Sequence, residues 1–126
     1  MVKKKIMLID DEEPFCNMVK LNLERSGEYE VRVETKGERA YNAIKEFNPD
    51  IIFLDIIMPD VDGAEIALSL RKDEELKHIP VVFLTAMVKK SEEISQRITI
   101  GNYLYPCLAK PITIERLIES IKVNAL

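Results

Sequence analysis

Five side chains suited to phosphate and metal chemistry each stand just after a short apolar run. Asp10 and Asp11 follow Ile6, Met7, Leu8 and Ile9; Asp55 follows residues 51–54, Thr85 follows 81–84 and Lys110 follows 104–108. Carboxylates gathered in one place repel, so such a group raises a pKa or takes up a cation. Carboxylate oxygens are hard ligands, and Mg²⁺ favours an octahedron of carboxylate, carbonyl, water and phosphate oxygens, with Mn²⁺ as the alternative. One Asp of the set can then act as a nucleophile toward phosphorus. A phosphoryl group in transfer needs positive charge and donors at its equatorial oxygens, which the cation, the Lys110 ammonium and the Thr85 hydroxyl supply.

Each residue has a plainer reading by itself. An Asp after a strand is often a helix cap or turn residue, Thr85 a strand-end cap and Lys110 a solvated charge. Their joint occurrence at the ends of successive runs favours phosphoryl transfer to a carboxylate.

The elements that must position them alternate regularly. Runs 5–9, 51–54 and 81–84 are short and continuously apolar. Such runs suit strands buried on both faces of a parallel sheet. Residues 29–34 alternate, with Val31 and Val33 inward, and read as a strand nearer an edge. Run 104–108 contains Pro106 and reads as an edge strand.

Helical patterns fill the gaps. Pro14 suits a first turn after Asp11, Glu12 and Glu13, in a helix running to about Ser26 with Gly27 as its stop. Ala40, Ala43, Ile44 and Phe47 keep helical spacing, as do Ile114, Leu117, Ile118 and Ile121. Residues 62–72 give a third helix through Ile66, Ala67 and Leu70, and residues 91–100 a fourth, opened by Ser91, Glu92 and Glu93. The alternation βαβαβαβαβα predicts one α/β domain over 1–126: a doubly wound (βα)5 parallel sheet with helices on both faces. Ligands of such sheets bind beyond the carboxyl ends of the strands, where the five side chains lie.

Composition narrows the function. The 126 residues are 47% hydrophobic and 32% charged, ordinary values for a soluble domain. A net charge of −4, from 18 basic and 22 acidic residues, argues against direct nucleic-acid binding. No apolar run approaches the roughly 20 residues needed to cross a bilayer. The apolar stretch after Met1-Val2-Lys3-Lys4-Lys5 ends at Asp10, too soon for a signal peptide. Cys16 and Cys107 lack metal-site spacing and read as buried hydrophobes in a reducing, cytoplasmic setting. The single histidine, His78, precedes Ile79-Pro80 and reads as a loop residue rather than a phosphoryl donor.

The ordered combination resembles the receiver domain of two-component response regulators over essentially the whole chain. It comprises Ile9-Asp10-Asp11-Glu12, Leu54-Asp55-Ile56-Ile57-Met58-Pro59-Asp60-Val61-Asp62-Gly63, Leu84-Thr85-Ala86 and Leu108-Ala109-Lys110-Pro111. The resemblance implies a five-stranded sheet of order 2-1-3-4-5. It implies Asp55 as phosphoacceptor and a Mg²⁺ site of Asp11, Asp55, the Ile57 backbone carbonyl and, through water, Asp10. Lys110 would pair with the phosphoryl group and, before that, with Asp55. Thr85 would swing toward a phosphoryl oxygen, and Ala86 would leave room for the donor. A cis Lys110–Pro111 bond is expected, and Gly63 would serve the turn after Asp55. Ile57 and Met87 occupy positions that tune phosphoryl lifetime, and being apolar they predict a long-lived aspartyl phosphate.

The implied partners are a sensor histidine kinase or phosphotransfer protein as donor and a downstream protein target. No nucleic acid or membrane contact is expected, and a homodimer through the face of the fourth and fifth helices is possible. The domain would be a phosphoacceptor that assists its own phosphorylation and dephosphorylation, not a turnover enzyme.

The sequence departs from the pattern in three respects, one being Ile112 in place of the phenylalanine common after Lys-Pro. The 25 positions from Thr85 to Lys110 exceed the family's usual spacing, with the excess around Ile100-Gly101-Asn102-Tyr103-Leu104-Tyr105-Pro106. Cys107 stands where an aromatic usually moves with the threonine, leaving Tyr105 or Tyr103 as the nearby ring. Rival readings fare less well. A haloacid-dehalogenase-like phosphatase would carry a second Asp two residues after the nucleophile, where this chain has Ile57. A flavin module would need a Ser/Thr/Gly loop in place of Asp10-Asp11-Glu12-Glu13. An EF-hand centred on Asp60-Val61-Asp62-Gly63 would begin at Met58 and end at Ser69. A receiver-like binding module that is never phosphorylated is the remaining alternative.

Overall fold

The computed structural model describes residues 2–86 and 97–125. Its strands are β1 (Lys4–Ile9), β2 (Tyr29–Glu34), β3 (Ile51–Asp55), β4 (Val81–Thr85), β5 (Arg97–Ile100) and β6 (Tyr103–Ala109). Its α-helices are α1 (Glu13–Arg25), α2 (Ala40–Phe47), α3 (Gly63–Lys72) and α4 (Ile114–Asn124). Strands run in the order β2-β1-β3-β4-β6-β5, parallel except for the antiparallel β5–β6 pair.

The apolar runs became central strands because both their faces are covered. Every residue of β3 and β4 is buried. Met7, Ile9, Ile52, Leu54 and Phe83 pack on one side against Ala40, Ile44, Ile66 and Leu70 of α2 and α3. Ile6, Leu8, Phe53, Val82 and Leu84 pack on the other against Cys16, Val19, Leu117 and Ile121 of α1 and α4. Phe53 and Phe83 are 1% and 0% exposed, and truncating either to alanine would cost about 3–5 kcal/mol. Asp62 caps α3 by accepting from the Ala64 N–H at 2.9 Å, and Thr113 caps α4 by accepting from Arg116 at 3.2 Å.

Three expectations for the last third of the chain are corrected: a helix at 97–100, a five-stranded sheet and an edge strand at 104–108. Residues 97–100 form a strand, not the end of a helix, while 91–96 lie outside the described residues. Ile100 pairs with Tyr103 across Gly101-Asn102, and Gly101 has φ +63°, as a two-residue hairpin turn with glycine at its first central position requires. Ile98 and Ile100 alternate inward onto the core beside α2 and α3. The sheet is therefore six-stranded and mixed, although its parallel part keeps the expected order. The face expected to carry a dimer has a β-hairpin where 97–100 were expected to be helical.

The strand at 103–109 is also not an edge. It lies between β4 and β5, and Pro106 is tolerated because pairing with β4 starts only at Cys107. Among the described residues no helix is long and apolar enough to cross a membrane.

Candidate functional site

Parallel alignment sets the carboxyl ends of β1, β3, β4 and β6 side by side. Asp10 follows β1, and its N–H donates to the Glu34 carbonyl at 3.1 Å, extending the ladder with β2 by one residue. The chain then turns into α1, and the Glu12 N–H donates to Asp10 Oδ1 at 2.9 Å. Cys16 Sγ donates to the Asp10 carbonyl at 3.2 Å, so the buried thiol helps set this turn. Burial pushes that thiol up to about 12, leaving it uncharged.

Asp55 is the last residue of β3 and is 5% exposed. Its Oδ1 accepts from the Ile57 N–H at 3.3 Å, and the Ile56 N–H donates to the Leu84 carbonyl of β4 at 3.2 Å. The Lys110 N–H donates to the Thr85 carbonyl at 2.9 Å, bringing the ends of β4 and β6 into line. The Lys110–Pro111 peptide is cis.

Lys110 is the hub of the cluster. Its Nζ lies 2.8 Å from Asp10 Oδ2, 2.8 Å from Glu12 Oε1 and 3.3 Å from Asp55 Oδ2. The Asp10 contact is an ion pair off the line of a hydrogen bond, leaving the buried Oδ2 without a well-aligned donor. Asp10, Asp11 and Asp55 each offer a carboxylate oxygen, and these lie within 4.8 Å of one another. An under-satisfied buried oxygen in a three-carboxylate, oxygen-only donor set fits a hard divalent cation.

Electrostatics reinforce that reading. Asp55 is pushed up to about 6, first by burial and then by the Asp10 charge, against the pull of Lys110. Burial also raises Asp10, opposed chiefly by the Lys110 contact. For Lys110 burial is the largest single influence and disfavours its charge. Contacts with Asp10 and Glu12 and the charges of Asp10 and Asp55 outweigh it, so its pKa rises and it stays an ammonium.

The remaining sequence-derived positions divide. Thr85 is 2% exposed at the end of β4, and Ala86 beside it is exposed. Ile57 is 62% exposed at the rim. Met87 lies outside the described residues. Cys107 is buried opposite Phe83, and burial raises its thiol pKa. Tyr105 points to the same side of β6, its ring edge-on to Phe83 at 5.2 Å, with its hydroxyl accepting from Arg71 Nε at 3.2 Å. Ala109 is the residue opposite Thr85, so Tyr105 stands four residues back along β6, about 13 Å away. Tyr103 is exposed, with the Arg71 guanidinium 3.9 Å above its ring.

Two contributors were not assigned roles from the sequence. In the sequence Glu12 is a charge at the start of α1 and the end of the Ile9-Asp10-Asp11-Glu12 motif, with nothing to link it to Lys110, 98 residues away. Asp60 accepts from the Gly37 and Glu38 N–H groups at 3.2 and 3.0 Å, joining the loop after β3 to the turn before α2. These backbone donors, Glu38 first, hold its carboxyl below the usual range. An Asp in a turn is the only sequence signal for it.

A doubly wound sheet with an acidic, lysine-bearing rim defines a phosphoryl-accepting α/β domain. Residues 6–122 match the family model of the response regulator receiver domain, and the chain belongs to that family. The polar-differentiation response regulator DivK of Brucella ovis is 38% identical over 119 residues, 94% of each chain, and that of Brucella anthropi is 37% identical over the same length. The chemotaxis protein CheY4 of Vibrio cholerae shares the fold with a TM-score of 0.80 at 25% identity, over 98% of this chain and 99% of that one. The Francisella response regulator 1452 receiver domain gives 0.78 at 27% identity, over 98% and 97%. The chain is thus a two-component signalling domain that accepts a phosphoryl group, and the phosphatase, flavin and calcium readings are not favoured.

Proposed function

We propose that Asp55 is the phosphoacceptor and that a sensor histidine kinase or phosphotransfer protein is the donor. The observation that carries this is the Lys110 ammonium held between two buried carboxylates at the ends of β1 and β3. An Asp55 oxygen attacks phosphorus, and the P–N bond to the donor's histidine breaks with its electron pair returning to the imidazole. With acetyl phosphate the P–O bond breaks instead and acetate leaves with the pair, so no proton transfer is needed.

Lys110 offsets the charge carried by the phosphoryl oxygens, the Thr85 hydroxyl donates to one of them, and the small Ala86 leaves space for the donor. Asp11, Asp55, the Ile57 carbonyl and, through water, Asp10 would hold Mg²⁺ or Mn²⁺. That cation supplies charge neutralisation at the phosphoryl oxygens when bound. Because the chain's own groups lower the barrier, it assists both its phosphorylation and its later hydrolysis without being a turnover enzyme.

The added charge beside Thr85 and Lys110 would bias β6 and its hairpin between two arrangements, which a downstream protein reads. Incubation with Mg²⁺ and acetyl phosphate should add one phosphoryl group to the intact mass of the wild type and none to Asp55→Asn. An Asp55→Asn protein that still gained the group would move the acceptor elsewhere. A wild type that never gained it would leave the non-phosphorylated binding module as the better reading.

A further inference from the structure

Glu12 occupies the position preceding α1 where a side chain normally accepts from the helix's first N–H groups, yet it caps none of them. Its backbone N–H instead holds Asp10 at 2.9 Å, while its carboxylate reaches across to Lys110 Nζ at 2.8 Å. An ammonium has three N–H donors, and three carboxylates surround this one. Their situations differ. The side chains of Asp10 and Asp55 are 0% and 8% exposed and belong to the triad that fits a cation, whereas the Glu12 side chain is 60% exposed and lies outside it. Glu12 is therefore the ligand of Lys110 that can leave at least cost.

We propose that Glu12 is a positioning residue that holds the Lys110 ammonium at the rim and surrenders it to the incoming phosphoryl group. Glu12 keeps the lysine aimed at the cleft mouth in the resting state, and its negative charge competes with the phosphodonor for the same N–H. It thereby sets how readily small anionic donors engage the site. This rests on the assignment of Lys110 to the phosphoryl group made above.

The test compares Glu12→Gln with Glu13→Gln, a neighbouring exposed acid in the first turn of α1 with no contact to Lys110 in the structure. In metal-free protein, Glu12→Gln should shift the Lys110 ammonium NMR signal and speed its hydrogen exchange, while Glu13→Gln leaves both as in the wild type. With Mg²⁺ and acetyl phosphate, Glu12→Gln should lower the half-saturating donor concentration roughly three- to fivefold, the size of one partly exposed ion pair, with the maximal rate little changed. Glu12→Asp, with a shorter reach, should behave like Glu12→Gln in the NMR measurement.

An unchanged Lys110 signal in Glu12→Gln, or an equal kinetic gain in Glu13→Gln, overturns the proposal. Lys110→Ala separates the two ideas. If it slows phosphorylation while Glu12→Gln is silent, the lysine assignment stands and only the role of Glu12 falls. If Lys110→Ala has no effect, the assignment itself fails.

Discussion

A β-carbon on Gly63 would lie 2.2 Å from the carbonyl oxygen of Asp55 and 2.9 Å from Cα of Ile56. The first turn of α3 thus sits directly on the backbone that carries the candidate phosphoacceptor, and the Gly63 N–H donates to the Ile56 carbonyl at 2.7 Å. Both obstacles are backbone, so no rotamer change relieves them. Gly63→Ala should cost about 1–3 kcal/mol, read as a lower urea midpoint, and slow acetyl phosphate uptake by displacing Asp55. A wild-type midpoint in the alanine variant would refute the close approach.

The pH dependence of stability follows from Asp55. Its folded value, about 6, lies above the ordinary value of 3.8, so the native state holds more protons than the unfolded chain across that interval. Its contribution is fully present below about pH 4 and lost as pH rises through about 6. Asp10, also raised by burial, acts in the same sense. In metal-free protein the advantage of Asp55→Asn over wild type should therefore grow from about pH 4 to about pH 7, reaching on the order of 2 kcal/mol. Melting curves of both proteins across that range check the sign.

Cation and protons compete for the same oxygens of Asp10 and Asp55. Mg²⁺ should raise the Tm of the wild type more at about pH 7 than at about pH 5. Equal shifts at both pH values would place the ion elsewhere.

Ile57 stands 62% exposed beside Asp55, held there by its own N–H contact to the carboxylate. An apolar side chain at that place cannot orient an attacking water. The aspartyl phosphate should be long-lived, and Ile57→Asn should shorten its lifetime at least severalfold when loss of the phosphoryl mass is followed in Mg²⁺ buffer. Rapid loss in the wild type with no change in the variant would count against this reading.

Arg71 ties α3 to the β5–β6 hairpin by stacking on Tyr103 at 3.9 Å and donating to the Tyr105 hydroxyl at 3.2 Å. Arg71→Ala should destabilise the protein by about 1–2 kcal/mol, and Arg71→Lys should recover little because a point charge cannot reproduce a planar stack. Hydrogen exchange localises the effect: amides of β5 and the start of β6 should lose protection first. Uniform loss across the sheet would contradict it.

Most of the fold was legible because apolar runs and helical spacing are local signals. The alternating residues 29–34 are β2 at its observed bounds, and the helical spacing of Ala40, Ala43, Ile44 and Phe47 falls on α2. The error at 97–100 came from extending a helical pattern through Arg97-Ile98-Thr99-Ile100, whose strand state depends on pairing with 103–106 across Gly101-Asn102. Gly-Asn between β-branched and aromatic residues was the available signal. The ambiguity between Tyr103 and Tyr105 was not local at all. Tyr105 turns inward because Phe83 and Arg71 receive it, and neither is near it in sequence.

What the chain's order of residues determined by itself is the chemistry at each strand end: carboxylates after the first and third apolar runs, a hydroxyl after the fourth and an ammonium after the last. Side-chain type and strand polarity suffice for that. Only the tertiary structure decided that one ammonium is shared by Asp10, Asp55 and the unassigned Glu12, and that Asp10 keeps an unsatisfied buried oxygen. Those facts depend on which strands are neighbours and how deeply their ends are buried. Distance and desolvation arise only when segments far apart in sequence are packed together.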